Sequence, residues 1–157
     1  LNGLVLEKSV QFNLSLPNMD RLSKNGVVSS SKESRLVDDL CAWLKVKTPS
    51  VHQVVGLLSG GNQQKVVLGK WLARTPRVLI LDEPTRGVDV GARSEIYGLM
   101  DKLAADGVAV WMISSDLEEV LGMSDRVLVL HEGKLAGELN REQLSEEAVM
   151  RLATGAL

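Results

Sequence analysis

The sequence predicts an α/β fold in which a helical first part precedes a parallel sheet. Three short apolar runs carry that reading: Arg77–Leu81, Val108–Ile113 and Arg126–Leu130. They alternate with stretches of helical periodicity, and continuous apolar strands alternating with helices indicate a parallel sheet covered on both faces. A change of rhythm at Pro76 separates this half from the residues before it, where helical spacing dominates.

Taken in order, the first third reads as helices joined by a polar loop. Leu36, Val37, Leu40, Cys41 and Leu44 form one helical stripe. Ser30 and Glu33, three apart ahead of it, have the spacing of a capping box. Ser23 to Lys32 is rich in Ser, Gly and Lys and reads as an exposed loop. After the first apolar run, Ile96, Leu99, Met100 and Leu103 fall on one helical face, and Asp116 to Leu121 forms a shorter helix. Glu132-Gly133 reads as a turn into an antiparallel return strand, Lys134 to Leu139. Ser145 to Ala153 closes the chain as a helix with acids in its first turn. The boundaries expected are about 1–74 for a helical subdomain, 75–140 for the sheet core and 141–157 for the terminal helix.

Composition excludes several classes. At 157 residues the chain is one domain at most. Its 18 basic and 20 acidic residues leave a formal charge of -2, so no global field attracts nucleic acid or an anionic membrane. The longest apolar run is far short of the ~20 residues that cross a bilayer. A single cysteine, Cys41, excludes an internal disulfide framework and fits a reducing compartment. Asn13-Leu14-Ser15 matches a glycosylation sequon without a secretory context and reads as chance. Trp43, Trp71 and Trp111 read as core packing, His131 as a surface residue, and Arg86 and Arg93 as surface or interface charges. Residue 1 is Leu, and the opening reads like mid-domain sequence, so the chain is expected to start inside something longer.

Two segments carry chemistry. Leu58-Ser59-Gly60-Gly61-Asn62-Gln63-Gln64-Lys65 places a hydroxyl and two glycines at the start of a helix, whose orphan amides and dipole favour an anion. Ser59-Gly60-Gly61 alone would equally suit a Gly-rich turn. The second segment, Val78–Pro84, delivers adjacent carboxylates at the C-terminal end of a buried strand, where α/β sheets place ligands. Consecutive strand residues face opposite ways, so Asp82 and Glu83 would do different jobs. One could hold Mg²⁺, largely through water, and the other could orient or deprotonate an attacking water.

Together these segments resemble the ABC-type ATPases, a P-loop NTPase family: a signature sequence at Leu58–Lys65, then a Walker B strand at Val78–Glu83. The forms LSGGNQQK, DEPTRGVDVGAR and EVLGMSDR look specifically like bacterial sugar importers, the group taking up ribose, galactose, xylose or autoinducer-2. That resemblance implies an ATPase subunit with two nucleotide-binding halves, of which this chain is similar to the C-terminal part of the second. It implies that Ser59, Gly60, Gly61 and Gln63 meet ATP held by the opposite half. Asp82 would then serve Mg²⁺, Glu83 would be the general base, and Asp89 would be the D-loop aspartate at the dimer interface. Expected partners are permease transmembrane subunits, the other nucleotide-binding half or a second ATPase chain, and, indirectly, a periplasmic binding protein. Nucleic acid is not among them. The expected location is cytoplasmic, peripheral on the inner face of the membrane.

Two departures qualify that reading. No Walker A pattern occurs: Gly69-Lys70 is followed by Trp71 and Gly133-Lys134 by Leu135, and neither pair has the upstream Gly or the following hydroxyl. In the family that loop and its strand lie N-terminal to the point where this chain begins, so another polypeptide must cover the sheet or the product is poorly stable. Secondly, Ser115 stands where the family has its switch histidine, and a hydroxyl lacks the chargeable imidazole's chemistry. Ser115 reads as a helix N-cap completed by Glu118. The implied second half keeps a good signature for the first half's ATP but hydrolyses poorly at its own site. The alternatives are a non-transport ABC ATPase, or a non-catalytic remnant that serves at most as an interaction module.

Overall fold

A computed structural model describes residues 3–155. The chain divides into two compact units, one running to Trp111 and the other starting at Met112.

In the first unit, α1 (Val10–Ser15), a 3₁₀ turn (Leu16–Asn18) and α2 (Met19–Leu22) lead into β1 (Ser23–Lys24) and β2 (Val27–Val28). The expected polar loop is therefore a small hairpin, with Ser23 opposite Val28 and Lys24 opposite Val27. Asn25 and Gly26 both have positive φ, 53° and 79°, as a two-residue turn between antiparallel strands requires.

Helix α3 (Ser30–Trp43) follows directly. Its N-cap is Ser29, not Ser30, and the expected capping box does not form. Ser29 makes no side-chain cap and instead pairs with the Ser31 hydroxyl at 3.2 Å. The predicted stripe is correct in its burial, with Val37 and Leu44 almost fully enclosed.

Helix α4 (Gly60–Leu72) is the hub of this unit. Val10 and Leu14 of α1, Val37 and Leu40 of α3, Val55 and Val66 form one core cluster. Gly69 permits the approach: a Cβ there would lie 2.7 Å from Leu14 and 2.8 Å from Leu44. Two lysines of α4 are also buried. Lys65 pairs with Glu95 and donates to the Lys45 carbonyl at 3.1 Å, while Lys70 donates to the Gly3 carbonyl. Burial alone pushes the Lys70 amine below its ordinary value.

A strand–helix–strand unit completes this part: β3 (Val78–Asp82), α5 (Val90–Ala105) and β4 (Ala109–Ile113), with β3 paired to β4. The expectation of a sheet covered on both faces is corrected here. Leu79 and Leu81 are buried, but Val78 is 57%, Ile80 63% and Trp111 56% exposed. Along β3 the buried and exposed positions therefore alternate. Trp111 and the half-exposed Trp71 are thus not core residues, although Trp43 is half-buried with the Lys102 amine 5.4 Å from its ring centre.

In the second unit, α6 (Leu117–Met123) precedes β5 (Arg126–His131), β6 (Lys134–Asn140) and α7 (Glu146–Thr154). The third apolar run therefore pairs antiparallel with its return strand, from Arg126 opposite Asn140 to His131 opposite Lys134. Glu132 (φ 49°) and Gly133 (φ 75°) make the turn. Val129, Leu139 and Val149 form the core. His131 is not a free surface residue: its Nδ1 lies 2.7 Å from the Ala153 carbonyl, tying the end of β5 to α7. Nor is Ser115 an N-cap. Asp116 takes that position, with its carboxylate accepting from the Glu119 amide at 3.2 Å, one residue on from the cap the sequence placed at Ser115.

Two predictions concern the first unit. The Lys65 ammonium, and to a smaller extent Lys47, hold the Glu95 carboxyl below the ordinary glutamate range. A depressed carboxylate stabilises the fold at neutral pH and ceases to do so as pH falls through its folded-state value. Glu95→Gln should cost about 1–3 kcal/mol at pH 7, because the buried Lys65 ammonium then has only neutral acceptors. It should also flatten the loss of stability in acid, both measured by urea unfolding. The second prediction is geometric. A Cβ on Gly61 would lie 2.4 Å from the Ala92 Cβ, so Gly61→Ala should destabilise by about 1–3 kcal/mol. Ala92→Gly in the same chain should recover most of that loss.

Candidate functional site

The site is built where α4 begins. Leu58 ends a 3₁₀ turn (Val55–Leu57), and Ser59, at φ −60° and ψ 154°, is the N-cap of α4 as expected. Its hydroxyl does not cap the helix. Ser9, Asp89, Asp116 and Ser145 each accept from the amide three residues on, whereas Ser59 makes no side-chain cap. The Ser59 Oγ instead accepts from the Asn62 side-chain amide at 2.8 Å. Ser59 is exposed and Gly60 half-buried, so this helix start offers a hydroxyl and the dipole's positive end to solvent.

The two glycines also have a packing reason that the sequence reading missed. A Cβ on Gly60 would lie 3.1 Å from the Gly87 carbonyl, and Gly61 is buried against Ala92 and Val88. Glycine is needed here because the signature segment rests directly on the turn leading into α5. The missed signal was the small side chain of Ala92, at the start of the facing helix. Gln63 turns back on the chain, its amide donating to the Leu58 carbonyl at 2.9 Å and the Gly56 carbonyl at 3.3 Å. It braces the loop before the helix.

The second segment leaves β3 at Asp82, which is exposed at the strand end. Glu83 is not a strand residue, as the alternation argument supposed. Its φ of 49° puts it in the left-handed region, and half-buried Glu83 starts a turn closed by Arg86 N–H donating to its carbonyl at 3.2 Å. A non-glycine residue in that region carries strain that concentrates at functional sites. A second turn, Val88 N–H to the Thr85 carbonyl at 3.1 Å, brings the chain to Asp89. Asp89 caps α5 by accepting from the Ala92 amide at 3.0 Å. Arg93, on that helix, donates to the Val88 carbonyl at 3.2 Å, while Arg86 is exposed.

The structure thus joins Ser59–Gly61 to the Gly87–Ala92 segment, which continues from Asp82 and Glu83. Ser115 lies in the other unit, in the turn where the Ser114 hydroxyl accepts from the Asp116 amide at 3.0 Å and donates to Glu119. Neither Gly-Lys pair forms a phosphate loop: Gly69-Lys70 lies inside α4, and Gly133-Lys134 forms the β5–β6 turn. Among the described residues no three His, Cys, Asp or Glu converge on a metal position. Asp82 is a single exposed carboxylate at the strand end, an oxygen donor of the kind Mg²⁺ takes together with phosphate and water. A cavity of about 570 Å³, lined by Leu36, Trp43, Leu72, Leu103 and Val108 among others, is apolar and includes none of these residues.

The family model described as ABC transporter matches residues 4–86, more than half of the chain. The ribose import ATP-binding protein RbsA of Bacillus cereus is 57% identical over 153 residues, which are 98% of this chain and 31% of that protein. The xylose import ATP-binding protein XylG of Thermoanaerobacter pseudethanolicus is 56% identical, over 98% of this chain and 30% of that protein. The chain spans about a third of the length of these curated relatives. Among solved structures, the dimeric, post-hydrolysis ATP-binding cassette MJ0796 bound to ADP and phosphate has a TM-score of 0.76 at 22% identity, covering 90% of this chain and 61% of that one. The ADP conformation of MJ1267, an ATP-binding cassette of an ABC transporter, scores 0.73 at 24% identity over 96% and 64%. These structures share the cassette fold, and the family match together with the sugar-import relatives shows that the chain belongs to the ABC transporter family.

Proposed function

We propose that this chain forms part of the ATP-binding component of an importer for a sugar, and that it lends its signature segment to an ATP site completed by another nucleotide-binding half. The observation that carries the reading is the start of α4. Ser59 occupies the N-cap position but keeps its hydroxyl out of the helix cap, at an exposed helix start backed by Gly60 and Gly61. A hydroxyl donor at a helix N-terminus suits a terminal phosphate. The relatives named for ribose and xylose import support the sugar class.

In this reading Ser59 and Gly60 bind the terminal phosphate of ATP held across the interface. Gly61 and Gln63 hold the segment in place. Mg²⁺ bound near Asp82 would neutralise phosphate charge. Glu83, at the left-handed turn that ends the strand, orients or deprotonates the water that attacks the phosphate. Asp89, by capping α5, sets the turn that would face the other half. Ser115 supplies no imidazole at the switch position, so this half's own nucleotide position hydrolyses slowly while its signature still serves the opposite site. The partners are then permease subunits, the other half or a second ATPase chain, and a periplasmic binding protein acting through the permease. The protein sits at the cytoplasmic face of the membrane, and no described helix is long and apolar enough to cross it.

Uptake of labelled ribose or xylose by cells carrying variants of the protein tests this. Ser59→Arg should reduce uptake to background, because a long cation then fills the phosphate position. Glu83→Gln should lower it only about two- to threefold, the loss expected when the affected group serves the slower site. Equal loss from both substitutions would remove the asymmetry between the two sites.

A further inference from the structure

Resting on the proposed role of Ser59, we infer that Asn62 is a positioning residue that fixes the direction in which the Ser59 hydroxyl donates its proton. The argument runs through hydrogen-bond directionality. The Lys47 main-chain N–H points at the Asn62 side chain at 2.7 Å. A main-chain N–H can only donate, so the atom facing it is the carbonyl oxygen Oδ1. That fixes the amide orientation, and the nitrogen Nδ2 necessarily faces Ser59 Oγ, 2.8 Å away. An amide NH₂ can likewise only donate. The serine oxygen is therefore the acceptor in this contact, and its own hydrogen cannot lie along the same line. It is turned away from Asn62.

The consequence is chemical. A serine at an N-cap ordinarily accepts from an amide of its own helix, as Ser9 and Ser145 do here. Ser59 is held as an acceptor on one side, which leaves it a polarised donor on the other, and a donor is what an anionic oxygen requires. Lys47 itself is anchored through its neighbourhood, because buried Lys65 of α4 donates to the Lys45 carbonyl in the same turn. The chain from the Lys45–Lys47 turn through Asn62 to Ser59 thus presets a donor before any phosphate arrives, and preset donors cost no reorganisation when charge develops.

The test is a double-mutant cycle on the intact protein assembled with its permease, with ATP as the probe and both kcat and KM measured. Asn62→Ala removes the constraint. Asn62→Asp keeps the acceptor for Lys47 N–H, and so the local fold, but offers Ser59 an oxygen in place of a donor. Asn62→Asp, whose carboxylate draws the Ser59 hydrogen toward itself, should lower kcat about ten- to hundredfold, the size of one lost hydrogen bond to a charged group, and Asn62→Ala, which only releases the hydroxyl, about three- to tenfold, each with a smaller change in KM. In a Ser59→Ala background each should cost less than about twofold, because Asn62 acts through that hydroxyl. The same factor in both backgrounds, or full activity of Asn62→Asp, would overturn the role of Asn62 alone. An unaffected Ser59→Ala would overturn the phosphate reading of Ser59 and this inference with it. Thermal unfolding of Asn62→Asp within a few degrees of the parent confirms that kcat reports positioning.

Discussion

The close approach of α4 to the start of α5 is the constraint on which the candidate site depends. Two helices bearing ordinary side chains could not bring Gly61 against Ala92 or Gly60 against the Gly87 carbonyl. Once that approach is made, the signature segment and the turn after Asp82 and Glu83 are parts of one packed body. A change in one is felt in the other, because close-packed interiors transmit displacement and do not absorb it. The glycines thus have a packing purpose in this chain as well as a recognition purpose toward an anion.

Polar side chains of α4 then hold the loops around that contact. Lys65 and Asn62, one turn apart on α4, both reach the Lys45–Lys47 turn, and Gln63 reaches the residues just before the helix. A buried ammonium is tolerable only when paired, and Glu95 of α5 supplies the carboxylate. The same ion pair therefore links α4 to α5 near the glycine contact. Elsewhere the chain leaves apolar side chains exposed, among them Val78 and Ile80 of β3 and Trp111 of β4.

Much of the fold was legible because it rests on local pattern. The stripes of α3 and α5, the closing helix with acids in its first turn and the turn at Glu132-Gly133 all follow from spacing or turn chemistry within a few residues. Caps were less legible. Ser29, Ser30 and Ser31 are consecutive candidates, as are Ser114, Ser115 and Asp116, and the choice among them depends on where the first helical residue settles. The hairpin at Asn25-Gly26 was missed because its strands are two residues long, too short to show alternation. At the site, the residue types and their order could be read directly. The partners of Asn62 and Ala92 could not, since Lys47 lies fifteen residues away and Gly61 about thirty.

By itself the sequence determined the class of this protein: an α/β chain whose signature and strand-end carboxylates are contiguous in sequence and need no folded context to be recognised. Only the tertiary structure decided what the individual groups do. It frees the Ser59 hydroxyl from helix capping, sets Glu83 in a left-handed turn, turns Gln63 back on the chain, and pairs the third apolar run with its own return strand. The physical reason is that motifs and periodicity are local properties of the chain. The direction of a hydrogen bond, the room for a Cβ and the cover over a strand depend on residues distant in sequence.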